Sequence, residues 1–206
     1  MREIKMISKD MKVRLTFTEE ILGTLPADPA IYGTFIGSKA PDAPTREEEI
    51  ESLGVDAVIE KGMTVFPKLG DGTPFIYDYQ VKGYFKNAAK TFNYVGGKDK
   101  LAAYKTKIDN LIFIKERKIP LRIPDGMSIG NCQRPLRADT AQGPRTALAN
   151  SESCPAGTTA EFTIQCLVPE LMEHVVKWLD YGVLNGIGQW HNSGKGRYTW
   201  EDISEK

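Results

Sequence analysis

A glycine-rich stretch at residues 186–197 holds the residue types best suited to chemistry in this sequence. Its glycines follow the pattern G-x-G-x5-G-x-G, at Gly186, Gly188, Gly194 and Gly196. Glycine lets the backbone approach another group closely. Lys195 and Arg197 add positive charge for phosphates, and Trp190 and His191 add rings that can stack on bases. The stretch predicts a nucleic-acid contact; the alternative is a tight corner that packs Trp190 into the core.

Two known nucleotide-binding motifs fit this stretch poorly. A Rossmann fingerprint needs a strand before its glycines and a helix after them, whereas the order predicted here is helix, loop, strand. A Walker A loop has four residues between its glycines and a Ser or Thr after its lysine. Here five residues separate Gly188 from Gly194, and Gly196 follows Lys195. We therefore expect no cofactor, and no metal either, because the carboxylates show no metal-ligand spacing.

The two histidines are the candidates for acid–base catalysis. His191 could act on a 2′-hydroxyl, since an unperturbed histidine titrates near working pH, but nothing near it in the sequence orients its ring. His174 lies beside the apolar stripe of a predicted helix and is interpreted as a partly buried structural residue. The sequence therefore favours binding over catalysis and leaves His191 as the one catalytic candidate.

Charge is strongly segregated along a chain whose 27 basic and 27 acidic residues cancel. Between Asp10 and Glu60 there are 11 acids against 4 bases, a net of −7; between Lys82 and Lys118 there are 10 bases against 3 acids, a net of +7. The basic part includes three lysines spaced to share one helix edge, Lys82, Lys86 and Lys90. Arginines continue it at Arg134, Arg137 and Arg145. Such asymmetry can mark a phosphate-binding surface or only a solvated helix face.

Length and composition favour one domain over residues 1–206. The chain is 41% hydrophobic and 26% charged, so it should fold. It lacks an apolar run of the roughly 18 residues that a membrane span needs, and we expect no membrane partner. The three cysteines form no CxxC pair, which favours reduced thiols and a cytoplasmic location.

Hydrophobic periodicity predicts an α+β fold with an antiparallel sheet and helices on one face. The predicted strands are residues 11–18, 55–60, 63–66, 111–114, 118–123, 160–168 and 197–200. The predicted helices are 81–93, about 98–105 and 169–181. Two segments interrupt this order: a variable acidic insert at about 23–74, with a short helix from Thr45 to Gly54, and a long irregular loop at about 124–159.

The glycine-rich loop, placed between a helix and a strand, resembles the signature of the RAMP superfamily of CRISPR-associated proteins. Residues 79–86 run through Lys82 and Gly83 into a helix in a similar way. The Arg-bearing 124–159 loop resembles the protruding hairpin with which backbone subunits of CRISPR effector complexes grip guide RNA. The resemblance covers about 11–20 and 75–200, and implies a ferredoxin-like (RRM-like) fold. The chain also resembles prophage-encoded proteins.

Three functions follow as hypotheses. The first is non-catalytic binding of single-stranded RNA or another nucleic acid, with the basic side chains contacting phosphates and Trp190 or His191 stacking on a base. The second is a phage-encoded anti-CRISPR protein whose fold docks on or mimics an effector subunit. Its acidic insert would contact a basic partner surface or mimic nucleic acid. The third is a metal-independent endoribonuclease that uses His191. CRISPR effector subunits and a second copy of this chain are further candidate partners.

Overall fold

The computed structural model describes residues 8–27, 63–140 and 143–204. Its helices are α1 (Asp78–Val95), α2 (Tyr104–Leu111) and α3 (Met172–Asp180). Its first strands are β1 (Lys9–Phe17), β2 (Ile21–Leu22), β3 (Leu25–Pro26), β4 (Thr64–Val65) and β5 (Phe75–Tyr77). The later strands are β6 (Ile112–Ile114), β7 (Lys118–Arg122), β8 (Gly130–Thr140), β9 (Gly143–Cys154), β10 (Thr159–Cys166) and β11 (Tyr198–Asp202).

The main sheet has the order β11-β1-β10-β7-β5, and β6 also pairs with β10. Every one of these pairs is antiparallel. If β6 and β7 count as one interrupted strand, the chain runs β1, α1, β6–β7, β10, α3, β11. Numbered along the chain, the four strands are β1, β6–β7, β10 and β11. Their order across the sheet is fourth, first, third, second, which is the ferredoxin-like arrangement. The predicted α+β ferredoxin-like fold is confirmed.

The interruption between β6 and β7 is closed by a side chain. Glu116 lies in the gap, and its carboxylate accepts hydrogen bonds from the backbone N–H of Thr163 at 2.7 Å and from its hydroxyl at 2.9 Å. The Lys115 N–H still donates to the Thr163 carbonyl at 3.0 Å. A partly buried N–H is therefore satisfied where the ladder breaks, as buried backbone groups require.

The core lies between the sheet and the two longer helices, as the periodicity predicts. Alternate residues of β1, from Met11 to Phe17, are buried. From α1, Phe85 packs against Trp178 of α3 with ring centroids 5.7 Å apart. The Tyr84 hydroxyl donates to the Trp178 carbonyl at 2.7 Å. These contacts place α1 and α3 on the same face of the sheet.

Two helix boundaries differ from the sequence-based expectation. α1 begins at Asp78 because the Gln80 side chain accepts the Tyr77 N–H at 2.7 Å, which caps the first turn. The helix predicted at about 98–105 is instead a 3-10 turn at Gly97–Asp99, followed by α2 from Tyr104. Gly96, Gly97 and Ala103 all have positive φ, which α-helical backbone cannot adopt.

The segment 124–159, expected to be an irregular loop, instead contains β8 and β9 as one long hairpin. Its register runs from Gly130 opposite Ser153 to Thr140 opposite Gly143. The backbone N–H and C=O groups of each strand form hydrogen bonds with the other strand, so the segment needs few partners from the rest of the protein. Pro135 is tolerated because β8 pairs only with β9 in the described sheet, and an edge strand can leave N–H positions unpaired.

The hairpin continues into a second sheet with the order β2-β9-β4-β3. Strands β3 and β4 come from the two ends of the predicted acidic insert. Residues 28–62, which include the expected helix from Thr45 to Gly54, the expected strand at 55–60 and most of the acidic residues, lie outside the described part of the chain.

All three cysteines are free thiols. Burial raises the pKa of Cys154 to about 12 and that of Cys166 to about 11, so both are protonated at neutral pH. Within the described residues, no helix is both long and apolar enough to cross a membrane.

Candidate nucleic-acid interface

The glycine-rich loop closes against its own backbone. The Ile187 N–H donates to the Gly196 carbonyl at 3.0 Å, and the Gly196 N–H donates to the Glu20 carbonyl at 2.8 Å. A Cβ on Gly186 would lie 2.2 Å from the Gly196 carbonyl carbon, and one on Gly196 would lie 2.0 Å from the Ile187 carbonyl oxygen. These two glycines therefore serve a backbone-to-backbone contact that no other residue allows.

Trp190 is not packed into the core, contrary to the alternative considered from the sequence. It is half-buried and has a left-handed backbone, with φ of 57°. Its carbonyl accepts the Ser193 N–H at 2.8 Å and the Lys195 N–H at 3.3 Å. The backbone thus holds the indole at the loop surface while the buried Ile187 anchors the loop below.

Arg134 of β8 joins the hairpin to this loop. Its guanidinium carbon lies 4.9 Å from the Trp190 ring centroid, and its Nη1 donates to the Ser193 hydroxyl at 2.8 Å. A guanidinium seated on an indole contributes about 0.5–1 kcal/mol at an exposed site. We call Arg134, Trp190 and Ser193 the Arg–Trp platform; it carries positive charge and an aromatic surface together.

Beside the platform, Lys195 is paired with Glu20. Burial alone would raise the pKa of Glu20, but hydrogen bonds from Lys195, Ser153 and Cys132 lower it overall. The same contact with Glu20 raises the pKa of Lys195. The charge of Lys195 is therefore already countered by a carboxylate, and the pair ties the loop to the β1–β2 connection.

We expect Glu20→Gln to make the free energy of unfolding fall less steeply as the pH is lowered into the acid range. The pKa of Glu20 is lowered on folding, so its stabilisation is present above the unfolded pKa and is lost as the pH falls through the folded pKa. The side chains of Glu20 and Lys195 are only 28% and 26% exposed, so we expect a loss of about 1 kcal/mol near neutral pH and none at low pH. Urea denaturation across the acid range measures this.

The matched control is Glu19→Gln, which changes the exposed neighbour. It should leave the acid slope of the unfolding free energy at its wild-type value. Equal slopes for the two variants would show that the Glu20 pair does not stabilise the loop.

The three lysines predicted to share an edge of α1 do not present equal charge. Lys86 pairs with Asp109 of α2 at 2.6 Å. Lys82 donates to the Asp109 carbonyl at 3.1 Å and lies 4.7 Å from the Phe113 ring centroid, and burial lowers its pKa. Lys90 is exposed. The first two therefore hold α2 against α1, and the phosphate role predicted for them is weakened.

The remaining predicted residues occupy different places. Arg197 is half-buried beside Gly194, with its Nε enclosed and lacking a hydrogen-bond partner among the described atoms. Arg137 and Arg145 have backbone positions far along the hairpin, where Arg145 pairs with Ala138. His174 is partly buried with its ring 6.1 Å from that of Trp178, in agreement with a structural role.

A cavity of about 500 Å³ separates α1 from the glycine-rich loop. His191 lines it, with Nδ1 3.1 Å from the Gly188 carbonyl oxygen. Because a carbonyl oxygen only accepts, Nδ1 carries the hydrogen and Nε2 is an acceptor in the neutral ring. Gly188 lies only three residues before His191, so the expectation that nothing near His191 in the sequence orients its ring is wrong. Among the described residues that line the cavity, none is a carboxylate or a lysine.

Sequence patterns did not reveal an aromatic cluster at the start of α1. The Tyr77 and Tyr79 rings stack with centroids 5.2 Å apart and an interplanar angle of 17°. The Arg117 guanidinium lies 5.4 Å and 5.6 Å from these two centroids. Tyr79 is 48% exposed and lines the cavity. The sequence signal that could have indicated this cluster is the pair Tyr77 and Tyr79 shortly before Lys82-Gly83.

Comparison with solved structures gives a match over almost the whole chain. It is to a chain in the cryo-EM structure of the Type III-B Cmr-beta bound to cognate target RNA, with a TM-score of 0.50 and 11% sequence identity. The alignment covers 96% of this chain and 59% of the matched chain. That likeness establishes the fold alone. It agrees with the α+β, ferredoxin-like fold described above.

Comparison of sequences adds no relative. No family model matches the chain, and no curated protein matches it. The chain spans 59% of the length of the chain it matches in structure. Function must therefore be argued from the residues of the site.

Proposed function

We propose that this protein binds single-stranded RNA without cleaving it, as a RAMP-type subunit of a CRISPR ribonucleoprotein. The observation that carries the proposal is the Arg–Trp platform, in which a hairpin arginine lies on an indole of the glycine-rich loop. A cation for phosphate beside a ring for a base is the combination that single-stranded nucleic acid requires. The fold shared with a chain from an RNA-bound Cmr-beta structure supports it.

The surroundings of His191 favour binding over cleavage. Cleavage at a 2′-hydroxyl needs a base that removes a proton and an acid that protonates the leaving oxygen. The Nε2 atom of His191 could accept a proton. The described lining of the cavity offers no carboxylate or lysine as its partner, so a one-histidine endoribonuclease is the less supported hypothesis.

The effector-inhibitor hypothesis stays a prediction. It depends on acidic residues that lie mostly within 28–62, outside the described part of the chain. No described residue favours it over RNA binding.

The direct test is the salt dependence of binding to a labelled, unstructured RNA, measured by fluorescence anisotropy. For single strands, the slope of log K against log salt changes by about 0.7 for each phosphate contact. We expect Arg134→Gln to weaken RNA binding about tenfold. The slope of log K against log salt should become shallower by about 0.7, the value for one phosphate contact. The variant loses both a cation and the cover of Trp190.

The matched control is Arg14→Gln on the opposite, open face of the sheet. Arg14 is held by Glu161 at 2.8 Å and by Glu201 at 2.9 Å, so its charge is already balanced. We expect no change in RNA affinity. If Arg14→Gln weakens binding and Arg134→Gln does not, RNA lies across the sheet face instead. If the wild type binds no RNA at low salt, or cuts RNA in the presence of a chelator through His191, the proposed function is wrong.

A further inference from the structure

We infer that the cavity between α1 and the glycine-rich loop takes up one nucleobase of the bound strand. The inference rests on the proposed function and specifies a second site within it. Its volume of about 500 Å³ lies within the roughly 300–1,000 Å³ typical of small-molecule sites. The site lies next to the Arg–Trp platform, because Trp190 and His191 are consecutive.

The floor of the cavity is open because α1 carries a glycine there. Gly83 lines the cavity in the middle of the helix, where glycine costs about 1 kcal/mol relative to alanine. A Cβ built on Gly83 would meet no described atom within 4 Å. Local packing therefore does not require a glycine at this exposed position, and a larger side chain there has open space beside the cavity to occupy.

The walls combine an aromatic face with polar edges. Tyr79 is 48% exposed at the rim and is backed by the stacked Tyr77 ring, so it offers a supported surface for base stacking. Asn87 and Gln189 reach the cavity from opposite sides, one from α1 and one from the loop. Their amides both donate and accept hydrogen bonds, and Nε2 of His191 accepts them. Flat apolar faces with mixed polar edges are the chemistry of a nucleobase.

The charges indicate a base, not a phosphate, inside the cavity. The described lining holds no carboxylate, lysine or arginine. The nearby arginines lie outside, with Arg134 on Trp190 and Arg117 beside Tyr77 and Tyr79. Arg117 is already paired with Asp78, so Arg134 is the cation offered to a phosphate beside the cavity. A strand whose phosphate meets Arg134 would pass the cavity mouth and turn one base inward.

The test fills the cavity from its floor with Gly83→Leu. The substitution replaces a mid-helix glycine with a strong helix former in open space, so the protein should fold and be at least as stable as the wild type. We expect affinity for base-bearing RNA to fall about tenfold, within the cost of losing one stacked base. Affinity for an abasic RNA of the same length should stay unchanged.

The matched control is Gly70→Leu, at an exposed turn that does not line the cavity. A Cβ on Gly70 also meets no described atom within 4 Å. This variant should bind both RNAs as the wild type does. If Gly83→Leu folds and binds base-bearing RNA with wild-type affinity, the cavity inference is overturned and the proposed function stands.

Adenosine monophosphate, titrated against wild type and Gly83→Leu by calorimetry, separates the two sources of a base. If the wild type binds this nucleotide but no RNA, and Gly83→Leu abolishes the nucleotide binding, the cavity inference is supported and the RNA-binding function is overturned. Binding of neither ligand by the wild type would overturn both.

Discussion

Replacing Gly196 with alanine should unfold the glycine-rich loop and destabilise the protein by about 4 kcal/mol. The new Cβ would lie 2.0 Å from the Ile187 carbonyl oxygen, and this is a backbone atom that cannot rotate away. Alanine at a φ of 67° adds roughly 1–2 kcal/mol of conformational cost. Relief of the clash would break the hydrogen bonds of Gly196 to Ile187 and Glu20, each contributing about 1 kcal/mol. Urea denaturation followed by circular dichroism measures the loss.

Gly97→Ala provides the matched control for this prediction. Gly97 has a similar φ of 78°, but a Cβ there would meet no described atom within 4 Å. It should therefore cost only the conformational part, about 1 kcal/mol. Equal losses for the two variants would mean that backbone conformation, and not the close approach to Ile187, explains the glycine at position 196.

Gly196→Ala should also lose RNA binding, because Trp190 no longer faces Arg134.

Hydrophobic periodicity was sufficient to predict most strands of the main sheet and the helices α1 and α3, but it missed β5 and misplaced α2. The alternation in β1 and β10 and the stripe of α1 each reflect burial on one side only, which a local pattern records directly. Local patterns also predicted the strands on both sides of Glu116. They could not supply the sheet order, which depends on pairs as distant as Leu15 with Trp200.

The sequence analysis missed the hairpin because β8 and β9 stabilise each other by pairing, and neither strand has a strong pattern of its own. Glycines and prolines between 124 and 159 are typical of loops when each residue is considered alone. In the structure, β8 and β9 satisfy each other, and Pro135 occupies an edge strand where a missing N–H costs little. The resemblance to a protruding hairpin was therefore a better guide to this segment than its composition.

The structure brings some of the predicted site residues together and holds others in ion pairs. Trp190 of the glycine-rich loop lies against Arg134 of the hairpin, whereas Gly186 and Gly196 serve the loop's own backbone. Lys82, Lys86 and Lys195 were counted as available cations, yet Asp109 and Glu20 already hold them. Ion pairs between residues far apart in the chain leave no local pattern. The cavity was also not predictable, since Gly83 and His191 meet only through the fold.

Trp178→Ala should destabilise the protein by about 4 kcal/mol, the typical cost of removing a large aromatic side chain from a core. Trp178 is 1% exposed. Its ring packs against Phe85 of α1 and its carbonyl accepts the Tyr84 hydroxyl, so it fastens α3 to the helix that carries the cavity floor. The substitution leaves a void that these neighbours can only partly close. Circular dichroism in urea should follow the unfolding, because tryptophan fluorescence changes with the substitution itself.

Trp200→Ala is the control of the same residue type. Trp200 is only partly buried at the edge strand β11, and its Nε1 donates to Asp180 at 2.9 Å. Its loss removes less contact area and one exposed hydrogen bond, so we expect about 1–2 kcal/mol. The ordering of the two variants tests the packing directly: if Trp200→Ala is the more destabilising, the core does not depend on the α1–α3 contact. At temperatures where Trp178→Ala remains folded, its RNA affinity should match that of Trp200→Ala, because neither indole belongs to the Arg–Trp platform.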